Sequence, residues 1–594
     1  MFHRIFVVPM KYSSIPSAQS VVFHCKSRGI KNVVISPGSR NAPLTIGFTN
    51  DPYFSCYSIV DERSAAFFAL GMAQHIQKPV IAICTSGSAL LNYYPAVAEA
   101  FYSDIPLIVI SADRPAYKVD IGDGQTIRQE SLFEKHIGYT ANLKQDITHA
   151  TDIVKKYETS LFPKDYILEQ LQSQIQSYND AELNNALKLA IIQNSPVHIN
   201  IPFEEPLYDA VEDMKPAPFC APVILENSSE EINWDDLAQI WNSSGKKMII
   251  IGVNTPDSIN VDYLNALAND DSVIVFTEVT SNVHHQNFFP SIDSVIAPIE
   301  KSKNRELLFK ELQPELLITM GGLIVSKKIK AFLREYKPKH HWHINNKKAY
   351  DTFFSLSKHI KTNENYFFES ILKQRSELQS NYYSVWNKVK QNYLSRRNTY
   401  LNEIPFSDFL AFQIICSDIP KNYQLHLANS STVRYAQLFD LDPSLSVFCN
   451  RGTSGIDGST STAIGSSIHS VNPTLLITGD LSFFYDSNGL WNSYKRKDLR
   501  IIVINNGGGG IFRILPGMEN SQNFETYFET VQDLDLQKLC SLFNINHLEA
   551  ADKNTLNTAL STFYLPSNSP VLLEIKTPRL LNDKILLTYF DFIS

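Results

Sequence analysis

The chain has 594 residues, 44% hydrophobic and 19% charged, with 53 Lys and Arg against 61 Asp and Glu for a formal net charge of −8. That length excludes a small stapled module and predicts two to four domains, at about 150 residues each. The acid excess argues against a nucleic-acid coat or a membrane-surface binder, while leaving room for a local basic pocket. The uncharged, largely apolar stretch 79–98 is broken by Thr85-Ser86-Gly87-Ser88 and Asn92 and is not a spanning helix. Residues 1–10 lack a small-residue cleavage site, so a cytoplasmic protein is expected, with Met1 and Met10 both candidate starts. The seven cysteines are scattered singly and read as reduced small core residues.

Runs of β-branched and apolar residues predict strands at 33–36, 57–60, 80–84, 107–111 and 197–201, with helices at 64–75 and 89–102 between them. A second set of strands falls at 248–251, 272–276, 316–319 and 340–344, and a third at 424–428, 445–449, 474–478, 501–505 and 571–575. Strands alternating with helices are the signature of parallel α/β units, so the fold class expected is three open, mostly parallel-sheet α/β domains. The proline-rich stretch 202–222 and the polar helical stretch 364–402 are the expected joins, giving domains 1–205, 206–385 and 386–594.

Of the 23 glycines, eight precede residue 140, four lie between 140 and 450, and eleven fall between Gly452 and Gly517. Glycine serves turns and close approach to ligands, so the two ends of the chain are expected to build the site. Ligands of open parallel sheets bind beyond the carboxyl ends of strands. The predicted strands of the first domain are followed by Ser36-Pro37-Gly38-Ser39-Arg40, Asp61-Glu62-Arg63, Thr85-Ser86-Gly87-Ser88 and Ala112-Asp113-Arg114-Pro115. Alone, each is an ordinary loop or helix start, and Glu62 suits a first helical turn. In the third domain one strand ends in Gly479-Asp480-Leu481-Ser482 and the next in Asn505-Asn506 and a run of four glycines. An aspartate, an asparagine and a glycine carbonyl at adjacent strand ends supply hard oxygen ligands for a magnesium-like ion, with open positions left for phosphate and water. The glycines allow close approach of a diphosphate.

This pair of segments resembles the cofactor motif of thiamine diphosphate enzymes. With SPGSR at 36–40, DER at 61–63, TSGS at 85–88, ADRP at 112–115, GQTIRQ at 124–129, NRGTSGIDG at 450–458, GDLS at 479–482 and NNGGGGIF at 505–512, the chain resembles the 2-succinyl-5-enolpyruvyl-6-hydroxy-3-cyclohexene-1-carboxylate synthases of menaquinone biosynthesis. The resemblance covers both terminal domains and reaches the middle one mainly through its architecture. It implies a pyrimidine-binding domain, a transhydrogenase-like middle domain and a diphosphate-binding domain. It also implies thiamine diphosphate with Mg2+ or Mn2+ as cofactors. The implied substrates are 2-oxoglutarate and isochorismate, and the implied assembly is a homodimer with shared sites or a tetramer, with no nucleic acid or membrane partner.

By the same resemblance Glu62 is the catalytic acid that contacts the pyrimidine ring. Gly87, Ile456, Gly479, Asp480, Leu481, Ser482 and Asn506 contact the cofactor, with Ile456 as the wedge that bends it, and Asp480, Asn506 and the Gly508 carbonyl hold the metal. Ser39, Arg40, Arg114, Gln125, Lys327, Lys328, Ser430, Arg434 and Arg451 would bind the anionic substrates, and Ile511, Phe512 and Leu515 would form an apolar wall. Arginine suits carboxylates through its planar fork. The family commonly has Lys-Arg where this chain has Lys327-Lys328, so a bidentate contact is lost there. His136, His284 and His285 are read as structural or surface residues. Alternatives are another 2-oxo acid carboligase or decarboxylase of the same superfamily and a non-catalytic cofactor sensor; Glu62 argues against the sensor.

Overall fold

A computed structural model describes residues 11–223, 232–515, 517 and 522–594; the alternative start at Met10 lies outside the described residues. The first strands are β1 (Tyr12–Ser13), β2 (Asn32–Ile35), β3 (Ser55–Ser58), β4 (Val80–Cys84), β5 (Leu107–Asp113), β6 (Tyr139–Asn142), β7 (Val197–Pro202) and β8 (Ala210–Val211). Six of them form a parallel sheet in the order β3-β2-β4-β5-β7-β6, while β1 and β8 pair antiparallel. Strands β2, β4 and β5 are buried along their whole length, as expected of parallel strands covered on both faces. Their side chains Val33, Ile35, Ile81, Ile83, Ile108 and Ile110 share a core with Val21, Val22, Leu44 and Phe48 of two flanking helices.

Next come β9 (Lys247–Ile251), β10 (Val273–Thr277), β11 (Leu316–Met320), β12 (His340–Ile344) and β13 (Lys358–Ile360), parallel in the order β10-β9-β11-β12-β13. The last set is β14 (Gln424–Leu427), β15 (Ser446–Phe448), β16 (Thr474–Gly479), β17 (Arg500–Asn505), β18 (Asn546–Ala550) and β19 (Val571–Lys576), parallel in the order β15-β14-β16-β17-β19-β18. The expected α/β class with three parallel sheets is therefore present. Sequence reading missed β6, β13 and β18, whose polar or short segments (YTAN, KHI, NHLEA) carry little apolar signal. The helix expected at 89–102 is two, Ser88–Asn92 and Tyr94–Ser103, the second with proline in its first turn.

The sheets and the compact units do not coincide. One unit comprises the chain up to residue 226 with Thr460–Ser470 and Tyr485–Arg496; the other comprises Asn227–Ser459, Val471–Phe484 and Lys497–Ser594. Inside the second unit a continuous apolar core runs from Met248 to Ile593. It passes through the helix Tyr382–Glu403, where Trp386 meets Phe276 of β10 edge-on at 5.3 Å. Inside the first unit the helices Glu62–Ile76 and Ser459–Ser467 cross at two glycines. A Cβ on Gly71 would lie 2.1 Å from the Thr462 carbonyl oxygen, and one on Gly465 2.0 Å from that of Phe68.

Candidate functional site

In the first unit the four loops follow the carboxyl ends of β2, β3, β4 and β5, which are neighbours in one sheet. Gly38 is required where the SPGSR loop meets the TSGS loop, because a Cβ there would sit 2.3 Å from Cβ of Thr85. Gly87 takes a φ of +88° with its Cβ direction against the Gln125 backbone. Its amide donates to Oε1 of Gln129 at 2.8 Å, and Gln129 in turn donates to the Ala112 carbonyl and to Asn200. Gln129 thus ties β4, β5 and β7 to the GQTIRQ loop, a role that sequence reading did not give it.

Glu62 opens the helix Glu62–Ile76, where Asp61 caps by accepting from the Ser64 amide. Burial pushes the Cys84 thiol and the Tyr93 hydroxyl well up, and the nearby Glu62 charge adds to both. Glu62 therefore lies close to the end of β4, near Cys84 and Tyr93. Ser39 and Gln125 are exposed, Gln125 at a positive φ of 56°. Arg114 donates to Ser86 Oγ and to the Gln125 carbonyl, and burial together with the Arg40 charge lowers its pKa. Arg40 is buried, with one nitrogen on the Phe203 carbonyl at 3.0 Å and another on Glu205 at 3.1 Å. Two cations thus face each other at one loop cluster, and one of them already has a carboxylate partner.

In the second unit the carboxyl edge of the last sheet carries two adjoining groups. At β16 and β17, Asp480 Oδ1 accepts from the Leu481 amide at 2.7 Å and Oδ2 from the Gly508 amide at 2.9 Å. Burial nevertheless pushes its carboxyl up to about 6. Asn506 donates its amide nitrogen to Asp408 at 3.0 Å, which reserves its oxygen as an acceptor. Gly508 stands at φ +148°, where a Cβ would strike the Glu529 carbonyl at 2.7 Å. The Gly508 amide, not its carbonyl, meets Asp480, and the carbonyl accepts from Gly510; a carbonyl keeps a second lone pair for a cation. Among the described residues no group of three or more His, Cys, Asp or Glu side chains could hold a metal. A metal here would depend on one carboxylate, one amide oxygen and a carbonyl, a hard donor set that fits Mg2+ or Mn2+. A buried carboxylate held mainly by backbone amides is also what a divalent cation neutralises. Ser482 donates to the Ile456 carbonyl at 2.6 Å, fixing the loop while the Ile456 side chain stays 39% exposed.

At β14 and β15, Asn429 knots the loop ends by donating to the carbonyls of Asn450 and Gly455 and accepting from Arg451 at 2.7 Å. Ser430 follows at φ +66°, a strained position for a residue with a side chain. Arg434 has its pKa lowered by burial and by Arg451, so the two arginines are neighbours. They stand with the buried Glu278 and with Lys330, whose pKa burial also lowers. Glu278 accepts from the Val325 and Ser326 amides at 2.8 Å, and burial pushes it up to about 7.

Lys328 points elsewhere: it pairs with Glu300 and lies 5.2 Å over the Phe590 ring. Lys327 is exposed. Two positions further along the helix Lys327–Glu335, Lys330 takes the place beside the arginines that the motif reading gave to Lys327 and Lys328. Ile511 and Phe512 lie in the short helix Gly510–Ile514, with Leu515 exposed beyond it. Of the three histidines, His136 bonds Tyr94, and His285 accepts from the Asn287 amide; burial lowers the pKa of His284.

The family described as thiamine pyrophosphate enzyme, N-terminal TPP binding domain, matches residues 17–136, and the corresponding C-terminal TPP binding domain matches 429–575. A 2-succinyl-5-enolpyruvyl-6-hydroxy-3-cyclohexene-1-carboxylate synthase of Christiangramia forsetii is 54% identical over 98% of this chain and 100% of its own length. The chain belongs to this synthase family. Synthases of the same name from Flavobacterium johnsoniae and Bacteroides thetaiotaomicron are 51% and 34% identical, each over 98% of this chain. The chain is thus an enzyme of the carboligase class with thiamine-binding domains at both ends. Glu62 and Gly87 fall in the N-terminal match, and Asp480, Asn506, Arg434 and Arg451 in the C-terminal one.

Proposed function

We propose that the chain decarboxylates 2-oxoglutarate and joins the remaining four-carbon unit to isochorismate, releasing CO2 and 2-succinyl-5-enolpyruvyl-6-hydroxy-3-cyclohexene-1-carboxylate, as a cytoplasmic step of menaquinone synthesis. The observation that carries this reading is one sheet edge. Its β16 and β17 ends present a hard-oxygen set, and its β14 and β15 ends present Arg434 and Arg451 with Lys330. Diphosphate anchoring and recognition of multiply charged acids are the two tasks such a synthase needs.

Thiamine diphosphate, when bound, supplies the carbanion chemistry that side chains lack. Asp480, Asn506 and the Gly508 carbonyl hold Mg2+ or Mn2+ against the diphosphate, and Gly479, Leu481 and Ser482 shape the surrounding turn. Glu62 holds a proton at the pyrimidine ring nitrogen. Ile456 presses on the cofactor from a loop that Ser482 keeps in place. Arg434, Arg451 and Lys330 bind substrate carboxylates, aided by Ser430. Arg114, Arg40, Ser39 and Gln125 serve the second acid, while Ile511, Phe512 and Leu515 exclude water. The assembly is a homodimer in which each site draws on both chains.

The test supplies the full chain with thiamine diphosphate, Mg2+ and 2-oxoglutarate, with and without isochorismate, and identifies products by mass. The adduct is expected only with all components present. An aldehyde or a different carboligation product, with isochorismate untouched, would assign the chain another 2-oxo acid.

A further inference from the structure

The first unit holds a second constellation of reactive groups, apart from the four strand-end loops described above. Residues 215–221 lie along the helices Pro16–Ser27 and Leu168–Gln193. The Lys215 amide donates to Gln19, that of Phe219 to Asp180 at 2.9 Å and that of Ala221 to Asn184 at 3.0 Å, while Asn184 returns a bond to the Phe219 carbonyl. This strap delivers Cys220, which is not the core residue that its isolation in the sequence suggested. Its sulfur lies 3.4 Å from Nδ1 of the fully buried His24 and receives the Ser27 hydroxyl at 3.1 Å.

The state of the histidine follows from its neighbours. Arg28 Nη1 is 3.2 Å from the same Nδ1, and a guanidinium can only donate, so Nδ1 carries the lone pair. The proton therefore sits on Nε2, 2.8 Å from Asp180 Oδ1. Thiol, imidazole and carboxylate form one chain in the order that activates a nucleophile: a base at the thiol, with an acid behind it to hold the base in the right tautomer. A recess of about 470 Å³ lined by Ser27, Arg28, Ile191, Cys220, Pro222 and Val223 opens at the sulfur. Among the described residues the buried Nε of Arg28 has no partner. Cys25 lies buried beside His24, close enough to feel Cys220 and Arg28, while Cys416 and Cys540 lie buried elsewhere in the fold, and burial pushes each of the three thiols up to about 12.

We propose that Cys220, with His24 as base and Asp180 as its orienting acid, is a thiol-exchange site that takes small anionic disulfides. The incoming anion draws the Arg28 Nη1–H off His24 Nδ1, the Cys220 proton passes to that freed lone pair, and the sulfur attacks one sulfur of the incoming disulfide. The S–S bond breaks, and the leaving thiolate takes the proton back from His24. Cys220 ends oxidised in a mixed disulfide and half of the reagent ends reduced to a thiol, so no further oxidant is needed. Arg28 supplies positive charge at the mouth, and Ile191, Pro222 and Val223 supply apolar walls.

The probe is 5,5′-dithiobis(2-nitrobenzoate) on the full-length native chain, followed by released thiolate and by peptide mass. The expected result is one fast equivalent at Cys220, absent in Cys220→Ser and slowed about tenfold or more in both His24→Asn and Asp180→Asn. A fast equivalent at another cysteine, or an unchanged Cys220 rate in both variants, overturns the proposal. The wild-type chain gives a check that needs no buried substitution. Unfolding in guanidinium disperses the three groups, so Cys220 should react faster in the native protein than in the unfolded one. A native rate at or below the unfolded rate overturns the assignment.

Discussion

Helical phase decides which lysine can meet a substrate. Lys328 and Lys330 are two residues apart, about 200° around the helix, so they cannot share a face. Lys328→Ala should leave the Michaelis constants for both acids within about twofold, since a partly exposed ion pair is worth about 0–1 kcal/mol. Lys330→Ala should raise one of them about tenfold or more, because a bond to a charged group contributes about 1.5–3 kcal/mol. Steady-state kinetics on the two variants separates the roles, and the reverse pattern would return the contact to Lys328. Glu278 adds a pH signature. Burial raises its folded-state pKa to about 7, above its ordinary range, so the neutral acid is the form the fold prefers. Its contribution to stability is complete below about pH 4.5 and is lost as pH rises through about 7, by roughly 3 kcal/mol. Glu278→Gln should therefore flatten the fall in urea midpoint between pH 5 and pH 8; an unchanged slope would show that the carboxylate is not held as an acid. That Asp480, Asn506 and Gly508 stand at adjoining strand ends was legible in the sequence, because the apolar runs of β16 and β17 mark where those strands stop. Glu278 and Lys330 were not, since a buried acid and a helical lysine in the middle of the chain belong to no motif and gain meaning only from the arginines packed near them.

At the scale of elements, the parallel strands were readable because burial on both faces demands unbroken β-branched runs, as in VIAIC of β4 and NVVI of β2. Edge strands such as β13 lack that demand and escaped notice. The two-glycine crossing was also invisible, because Gly71 and Gly465 lie in ordinary helical patterns almost four hundred positions apart. Glycine-to-alanine in a helix normally gains about 1 kcal/mol in propensity. At Gly71 the sign should reverse, since the new methyl would meet the Thr462 carbonyl at 2.1 Å and force the helices apart. Overpacking of this kind costs about 1–3 kcal/mol or more. Thermal unfolding of Gly71→Ala should show a midpoint several degrees lower; a midpoint equal to or above wild type would mean the crossing can open without loss.

For the whole molecule, the proposed homodimer assigns Glu62 of one chain and Asp480 of the other to opposite ends of one cofactor. Mixing inactive Glu62→Gln chains with inactive Asp480→Ala chains then tests the arrangement. Half of randomly reassembled dimers are mixed and each carries one intact site, so about a quarter of wild-type activity should return. No recovery after verified subunit exchange would place every site within a single chain. The division of the chain bears on its synthesis as well. The first unit borrows Thr460–Ser470 and Tyr485–Arg496 from far downstream, so its N-terminal sheet leaves the ribosome long before the helix that crosses at Gly71 exists. The delay spans 467 − 226 = 241 residues, roughly 12 to 48 s at about 5–20 residues per second. For that interval the buried face of the helix Glu62–Ile76 has no native neighbour at the crossing, which makes nascent chains halted before residue 460 the natural clients of a holding chaperone.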